Sequence, residues 1–176
     1  MKISLEKLIR KETDKLDINI SEKIDSIDYS YKEFKLDSLV NIKGKISKTN
    51  KGIYLDTDIS FTIIDNCSRC LVEVKVPIEY SIKGFLVKEN IDEDYFEDED
   101  AFLYDGQEVD FLSIIEQTID FEIPQKTLCS EDCRGLCQGC GANLNTEICS
   151  CDETANNEED NIDPRFAKLK DLLKND

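Results

Sequence analysis

Three consecutive segments of the chain, residues 40–46, 53–63 and 72–82, alternate between apolar and polar side chains with a period of two. This alternation is typical of strands that bury one face and expose the other, and the turn signal Asn50-Lys51-Gly52 separates the first two segments. We therefore predict an antiparallel sheet with one solvated face, either open or curved into a partial barrel. Pro77 lacks a backbone N–H, so we expect the third strand to lie at an edge or to contain a bulge.

Apolar residues with helical spacing occur on both sides of this predicted sheet. Residues 3–16 indicate a short amphipathic helix or an irregular start. A second helix is predicted to begin at Phe111, because Asp110 is a suitable N-cap and Pro124 closes the segment. We expect this helix to pack across the sheet, which gives an α+β fold. The apolar positions of its buried face are Phe111, Ile114, Ile115 and Ile119.

Composition divides the chain into three parts. Residues 1–128 form the predicted α+β core, with an acidic insertion at about 88–105 that reads as a solvated loop or as a patch for a basic partner. Residues 129–151 are predicted to form a small cysteine-rich appendage. Residues 152–176 are predicted to be an acidic linker followed by a C-terminal helix that starts at Asp163-Pro164.

The formal net charge of −17 argues against a simple electrostatic nucleic-acid binder, because such a surface repels phosphates. Lysines do cluster on the first predicted hairpin, and we favour solvated surface charges over an RNA-binding face there. The N-terminal segment does not resemble a signal peptide, and no run of eighteen apolar residues occurs, so we predict a cytoplasmic protein without a membrane segment. The basic residues in question are Lys43, Lys45, Lys48, Lys51 and Arg69.

The chain has no histidine and eight cysteines. The missing histidine removes the usual general base and every Ser-His or Cys-His nucleophile. A metal site would therefore consist mainly of thiolates. The cysteines fall into four close pairs, which suits two tetrahedral sites with four thiolates each, and we predict two zinc (Zn²⁺) ions. An iron–sulfur cluster, a dithiol redox couple and inert buried thiols are the competing interpretations.

The pairing of the cysteines into sites has two solutions. The first joins the last four cysteines into a local site within fifteen residues and leaves a long-range site that clips the sheet to the segment after the helix. The second builds a local site from Cys129, Cys133, Cys137 and Cys140 and leaves two half sites. We favour the first, with Cys67, Cys70, Cys129 and Cys133 as site 1 and Cys137, Cys140, Cys149 and Cys151 as site 2.

Several of these residues carry a family resemblance. Residues 67–71, CSRCL, resemble the C-x-R-C signature of the YceD family, the large ribosomal RNA subunit accumulation proteins of bacteria and plastids. The segments DCRGLC at 132–137 and CGANLN at 140–145 are similar to the cysteine-rich end of Gram-positive-type members, and DPRF at 163–166 resembles their closing helix. Members with fewer cysteines keep the first pair and the equivalent of Cys129 and Cys133, which favours the long-range pairing.

The resemblance implies a non-enzymatic factor in ribosome biogenesis that supports synthesis, processing or accumulation of large-subunit ribosomal RNA. Its expected partners are ribosomal proteins or a pre-ribosomal large-subunit particle, direct RNA contact is left open, and no small-molecule substrate or catalytic residue is expected. A zinc-dependent interaction adaptor in transcription or stress response is the alternative. A metal-dependent ribonuclease is a further one, but the carboxylates lie in runs that nothing pre-organises.

Overall fold

The structure is a computed structural model that describes residues 1–29, 32–88, 100–149 and 151. The chain divides into two compact units, Met1–Glu131 and Asp132–Asp176. In the described part of the first unit, seven strands form one sheet in the order β2-β5-β6-β4-β3, with β7 on the other side of β6 and β8 beside β7, and β1 pairs with β9. The strands are β1 Lys2–Ser4, β2 Lys15–Glu22, β3 Ser26–Tyr29, β4 Lys32–Leu36, β5 Val40–Lys48, β6 Ile53–Asn66, β7 Glu73–Val87, β8 Ala101–Leu103 and β9 Glu108–Asp110.

The three alternating segments form the centre of this sheet as β5, β6 and β7, which confirms the antiparallel prediction. Along β6, residues 55, 57, 59, 61 and 63 are buried, whereas the polar residues between them face solvent or are half-buried. Pro77 lies opposite Thr62. Among the described residues, the outer side of β7 pairs only at residues 85–87, so Pro77 does lie on an edge.

The N-terminal segment differs from the predicted helix. Helix α1 spans only Glu6–Ile9, and β1 and β2 flank it. The alternation of Leu16, Ile18 and Ile20 explains the second strand, because it places one apolar face of β2 beside β5 in antiparallel register. Strand pairing thus decides the conformation of a segment whose first half has helical spacing.

The second helix is confirmed. Helix α2 spans Phe111–Thr118, and the side chain of Asp110 accepts a hydrogen bond of 3.0 Å from the backbone N–H of Leu112. A 3₁₀ turn continues it over Ile119–Phe121. The helix contacts β3, and the Tyr80 hydroxyl on β7 lies 3.2 Å from that of Thr118. The apolar residues of the helix join the sheet residues in one core: Phe111, Ile114, Ile115 and Ile119 are at most 1% exposed.

On the exposed face of the sheet, lysine side chains lie next to aspartate side chains. Lys45 and Lys83 flank the Asp56 carboxylate at 3.7 and 3.6 Å, and Lys43 lies opposite Asp58 across the β5–β6 pair. These lysines therefore face acidic neighbours rather than forming a separate basic surface.

Two predicted features fall largely or wholly outside the described residues. Of the acidic insertion at 88–105, the structure describes Lys88 and residues 100–105, which include β8. The acidic linker and C-terminal helix predicted for 152–176 lie outside. No helix in the described ranges combines the length and the apolar character that a membrane crossing requires.

Candidate metal centres

All eight cysteines lie among the described residues, and each carries a thiol rather than a disulfide. Their sulfur atoms gather into two groups of four, and within each group all sulfurs lie within 4.8 Å of one another. We call these groups the first and second tetrads. Either tetrad could hold a metal ion. The first consists of Cys67, Cys70, Cys129 and Cys133, and the second of Cys137, Cys140, Cys149 and Cys151.

Each tetrad contains one C-x2-C pair in a turn with the same backbone hydrogen bonds. In the first cysteine turn, residues 67–72, the Cys67 N–H donates to the Val72 carbonyl at 2.8 Å and the Leu71 N–H donates to the Cys67 carbonyl at 2.9 Å. In the second, residues 137–142, Cys137 and Ala142 are joined at 2.8 Å and Gly141 and Cys137 at 2.9 Å. The two pairs are thus presented by equivalent local structures.

This turn needs a left-handed residue directly after its second cysteine. Gly141 has a φ of +75° and Leu71 a φ of +60°. Glycine adopts this conformation without strain, whereas a leucine pays for the close approach of its Cβ to the carbonyl oxygen. Leu71 is nevertheless 64% exposed, so packing of its side chain does not explain the choice.

The backbone of the first cysteine turn favours a thiolate at Cys67. Burial raises the pKa of this fully buried thiol. Hydrogen bonds from the backbone N–H groups of Cys70, Arg69 and Cys129, together with the Cys70 thiol, outweigh burial and lower the pKa to about 6. The Cys70 and Cys129 sulfurs lie 3.5 Å apart. A thiolate is the form that coordinates metals, so the turn favours the form of Cys67 that could bind one.

The second tetrad is local to residues 137–151. The Cys137 sulfur lies 3.1 Å from that of Cys149 and 3.8 Å from that of Cys151, and the Cys140 and Cys149 sulfurs are 3.6 Å apart. Gly139 makes room for this arrangement, because a Cβ atom there would meet the Cys151 sulfur at 2.9 Å. A side chain at position 139 would therefore displace the Cys151 thiol.

Only part of the second tetrad is ready to ionise. Backbone N–H groups of Cys140 and Gly139, with the thiols of Cys149 and Cys140, lower the pKa of Cys137 to about 6. Hydrogen bonds to the neighbouring thiols, first to Cys149 and then to Cys140 and Cys137, raise the pKa of Cys151 to about 12. A thiolate at Cys137 also opposes ionisation of Cys151, because like charges repel, and a divalent cation would relieve this repulsion.

Other side chains order the start of the second unit. Asn145 accepts a hydrogen bond from the Arg134 N–H at 2.8 Å and donates one to the Cys133 sulfur at 3.3 Å. The Leu144 N–H donates to the Gly135 carbonyl at 3.0 Å. In the sequence, Asn145 stands out only as the last residue of the family-like segment CGANLN at 140–145. Its contact with a sulfur became visible only once the fold brought positions 133 and 145 together.

Comparison with known proteins identifies the family. The family model described as "Large ribosomal RNA subunit accumulation protein YceD" matches residues 55–173, about two thirds of the chain. The chain belongs to the YceD family. The family is linked by its description to accumulation of large-subunit ribosomal RNA. The matched residues include all eight cysteines, most of β6, which precedes the first cysteine turn, and β7, which follows it.

Several relatives align over most of the chain. The uncharacterized protein YlbN of Bacillus subtilis is 31% identical over 140 residues, which cover 79% of this chain and 77% of YlbN. An uncharacterized protein of Mycobacterium tuberculosis is 25% identical over 77% of this chain and 63% of its own length. A chloroplastic Arabidopsis thaliana protein named large ribosomal RNA subunit accumulation protein YCED homolog 1 is 36% identical over 56 residues, 32% of this chain and 17% of that protein. No solved structure matches the chain.

Proposed function

We propose that each tetrad binds one zinc ion, with Cys67, Cys70, Cys129 and Cys133 as site 1 and Cys137, Cys140, Cys149 and Cys151 as site 2. Four sulfurs placed about 2.3 Å from a tetrahedral zinc ion are about 3.8 Å from one another. Four of the sulfur–sulfur distances, at 3.1 to 3.8 Å, lie close to this geometry, and all sulfurs of a tetrad lie within 4.8 Å of one another. In this proposal residues 129–151 form a zinc-binding segment that follows a core of residues 1–128.

Metal analysis of the purified chain tests this proposal. We expect two zinc ions per chain and one after Cys149→Ser and Cys151→Ser together, because two ligands rarely retain structural zinc. Ser130→Ala, between the cysteines of one pair but without a thiol, is the matched control and should keep both ions. Less than one zinc per chain in protein purified without oxygen, together with visible cluster absorbance, would instead assign the tetrads to iron–sulfur.

We further propose that the protein is a non-enzymatic factor that supports synthesis, processing or accumulation of large-subunit ribosomal RNA. Membership of the YceD family carries this proposal, since the family description and the name of the plant relative both refer to that RNA. The charge balance of the sheet surface supports a role other than unspecific RNA binding, because Asp56 and Asp58 accompany the lysines of β5 and β7.

The proposed partners are ribosomal proteins or a pre-ribosomal large-subunit particle in the cytoplasm. With a formal net charge of −17, the chain is suited to contact basic ribosomal proteins, because complementary charge accelerates encounter and opposes wrong partners. Direct contact with RNA is not required in this proposal, and neither is a small-molecule substrate.

Depletion of the protein tests the role. We expect the large-subunit ribosomal RNA to fall relative to the small-subunit RNA, and mass spectrometry of ribosome gradients to find the protein with large-subunit precursors. Complementation with Cys67→Ser should fail, whereas Ser130→Ala should restore the RNA ratio. An unchanged ratio would favour an adaptor in transcription or stress response, and cleavage of precursor RNA by the pure protein in magnesium would contradict the non-enzymatic role.

A further inference from the structure

Two polar residues join the halves of the first tetrad without using a cysteine. Asp65 stands two positions before Cys67 at the end of β6, and Thr127 stands two positions before Cys129. The Thr127 hydroxyl donates a 2.9 Å hydrogen bond to Oδ2 of Asp65. The Thr127 carbonyl accepts a second bond, of 2.8 Å, from the backbone N–H of Ser68. These two bonds bracket Cys67 in the sequence and hold the segment that leads to Cys129.

The Asp65 carboxylate is itself held from the opposite side. Its Oδ1 atom accepts a bond from Lys32 Nζ at 2.6 Å, and the side chain of Asp65 is only 14% exposed. Lys32 also lies 4.3 Å above the ring of Phe34, which restricts the position of its ammonium group. Thr127 is 6% exposed. A half-shielded, charge-assisted bond of this kind has a defined geometry, unlike an ion pair between mobile surface side chains.

We propose that Asp65 and Thr127 are positioning residues that hold Cys129 beside Cys67 and Cys70 before any metal binds. The inference rests on the proposal that the first tetrad binds zinc. Without these hydrogen bonds, zinc binding itself would have to close a loop of about sixty residues, and the entropic cost of closing it would weaken the binding. With the two hydrogen bonds of Thr127 present, this loop closes when the first unit folds. Three of the four proposed ligands are then side by side before zinc binds. Residues that orient ligands in this way typically change metal affinity by about 10- to 100-fold.

The test compares zinc affinities by competition with a chelator in the full-length chain. Thr127→Val removes the hydroxyl at nearly constant volume and should weaken zinc binding at one of the two sites by about 10- to 100-fold, leaving the other unchanged. Thr127→Ser restores the hydroxyl and should restore most of the affinity. Ser81→Ala is the matched control, because the Ser81 hydroxyl donates an equivalent 2.6 Å bond to Asp58 on the exposed sheet face. It should leave both affinities unchanged.

A second measurement needs no metal. In protein stripped of zinc, the amide of Ser68 should exchange slowly with solvent, and Thr127→Val should accelerate its exchange more than that of amides in the centre of β6.

If Thr127→Val does not fold by circular dichroism, Asp65→Asn serves instead and should show a smaller change in the same direction. Unchanged zinc affinity in the folded variants would overturn the positioning role while leaving the zinc proposal intact. A chain that binds no zinc would overturn the zinc proposal, and the Ser68 exchange would then still report on the hydrogen bonds of Thr127.

Discussion

At the scale of single residues, the two cysteine turns have different residue types in the same left-handed position after the second cysteine. Gly141 fits its left-handed backbone, and Leu71 occupies the same conformation with a side chain that is largely in solvent. Nothing in the sequence indicates that Leu71 repeats the left-handed conformation of Gly141. The backbone hydrogen bonds of the turn set the positive φ of residue 71, and the residue types of a C-x2-C-L segment do not reveal this strain.

Replacement of Leu71 by Asn should therefore stabilise the protein. Asparagine tolerates the left-handed region better than leucine does, and an exposed leucine gives up little buried surface, so the free energy of unfolding should rise by about 1 kcal/mol. Urea unfolding of the zinc-loaded chain measures it. Val72→Asn is the control, because residue 72 has no positive φ and should gain nothing. Equal effects at both positions would contradict the strain at Leu71.

The second tetrad should show an unusual order of thiol reactivity in the metal-free protein. Cys137 is half-buried and Cys151 exposed, so exposure alone predicts that Cys151 reacts first. The pKa of Cys137 is lowered to about 6 and that of Cys151 is raised to about 12, so at pH 7 the first is mostly thiolate and the second is thiol. We expect iodoacetamide to modify Cys137 first, at a rate that rises as pH passes through about 6 and then levels off.

Mass spectrometry of the labelled peptides measures both rates. In urea the two thiols should titrate together near the ordinary cysteine pKa of about 8.5 and react at similar rates. If Cys151 reacts first in the folded, metal-free protein, the hydrogen bonds described for this tetrad do not persist without metal.

At the scale of elements, the periodicity of apolar residues predicted the strands whose apolar side chains lie on one buried face. Strands β5, β6 and β7 and helix α2 were found because their apolar residues keep one period over many positions. Strands β2, β3 and β4 were missed, since the first follows a helix-like segment and the other two have only four or five residues. Such short strands are stabilised by pairing with distant neighbours, as β4 is by Ile63 and Ile64 of β6.

Strands β5 and β6 approach each other closely at Gly44. A Cβ atom there would lie 2.6 Å from the Thr57 Cα on β6, a backbone atom that cannot move aside cheaply. Gly44→Ala should therefore lower the free energy of unfolding by about 3 kcal/mol. Gly106→Ala is the matched control: its φ is +59°, but no atom lies within 4 Å, so about 1 kcal/mol of backbone strain is expected. Equal losses in urea unfolding would mean that β5 and β6 can separate locally.

At the scale of the whole molecule, the two tetrads should contribute differently to stability. Cys67 is fully buried beside the end of β6, so Cys67→Ser removes a ligand from the first unit and should cost about 4 kcal/mol, which lowers the melting temperature by roughly 10 °C. The second tetrad lies wholly within residues 132–176. Cys149→Ser should thus leave the main transition of the zinc-loaded protein almost unchanged and accelerate amide exchange only near residues 137–151.

Circular dichroism during heating and mass-resolved hydrogen exchange make this comparison. Ser130→Ala is the control, because it changes a side chain of similar size and leaves every thiol in place. Equal losses of melting temperature for Cys67→Ser and Cys149→Ser would show that the two tetrads stabilise one cooperative structure rather than separate ones.

The sequence by itself determined the chemistry of this protein. Eight cysteines in four close pairs, without histidine, restrict a metal site mainly to thiolates. Alternation along residues 53–63 and 72–82 predicts a sheet, and both properties follow from residue type and local spacing. Tertiary structure decided what depends on residues far apart in the chain. The bond between Asp65 and Thr127, and the meeting of Cys67 and Cys70 with Cys129, arise only when folding brings distant segments together. Local spacing carries no information about such contacts, since their geometry is set by the packing of the whole first unit.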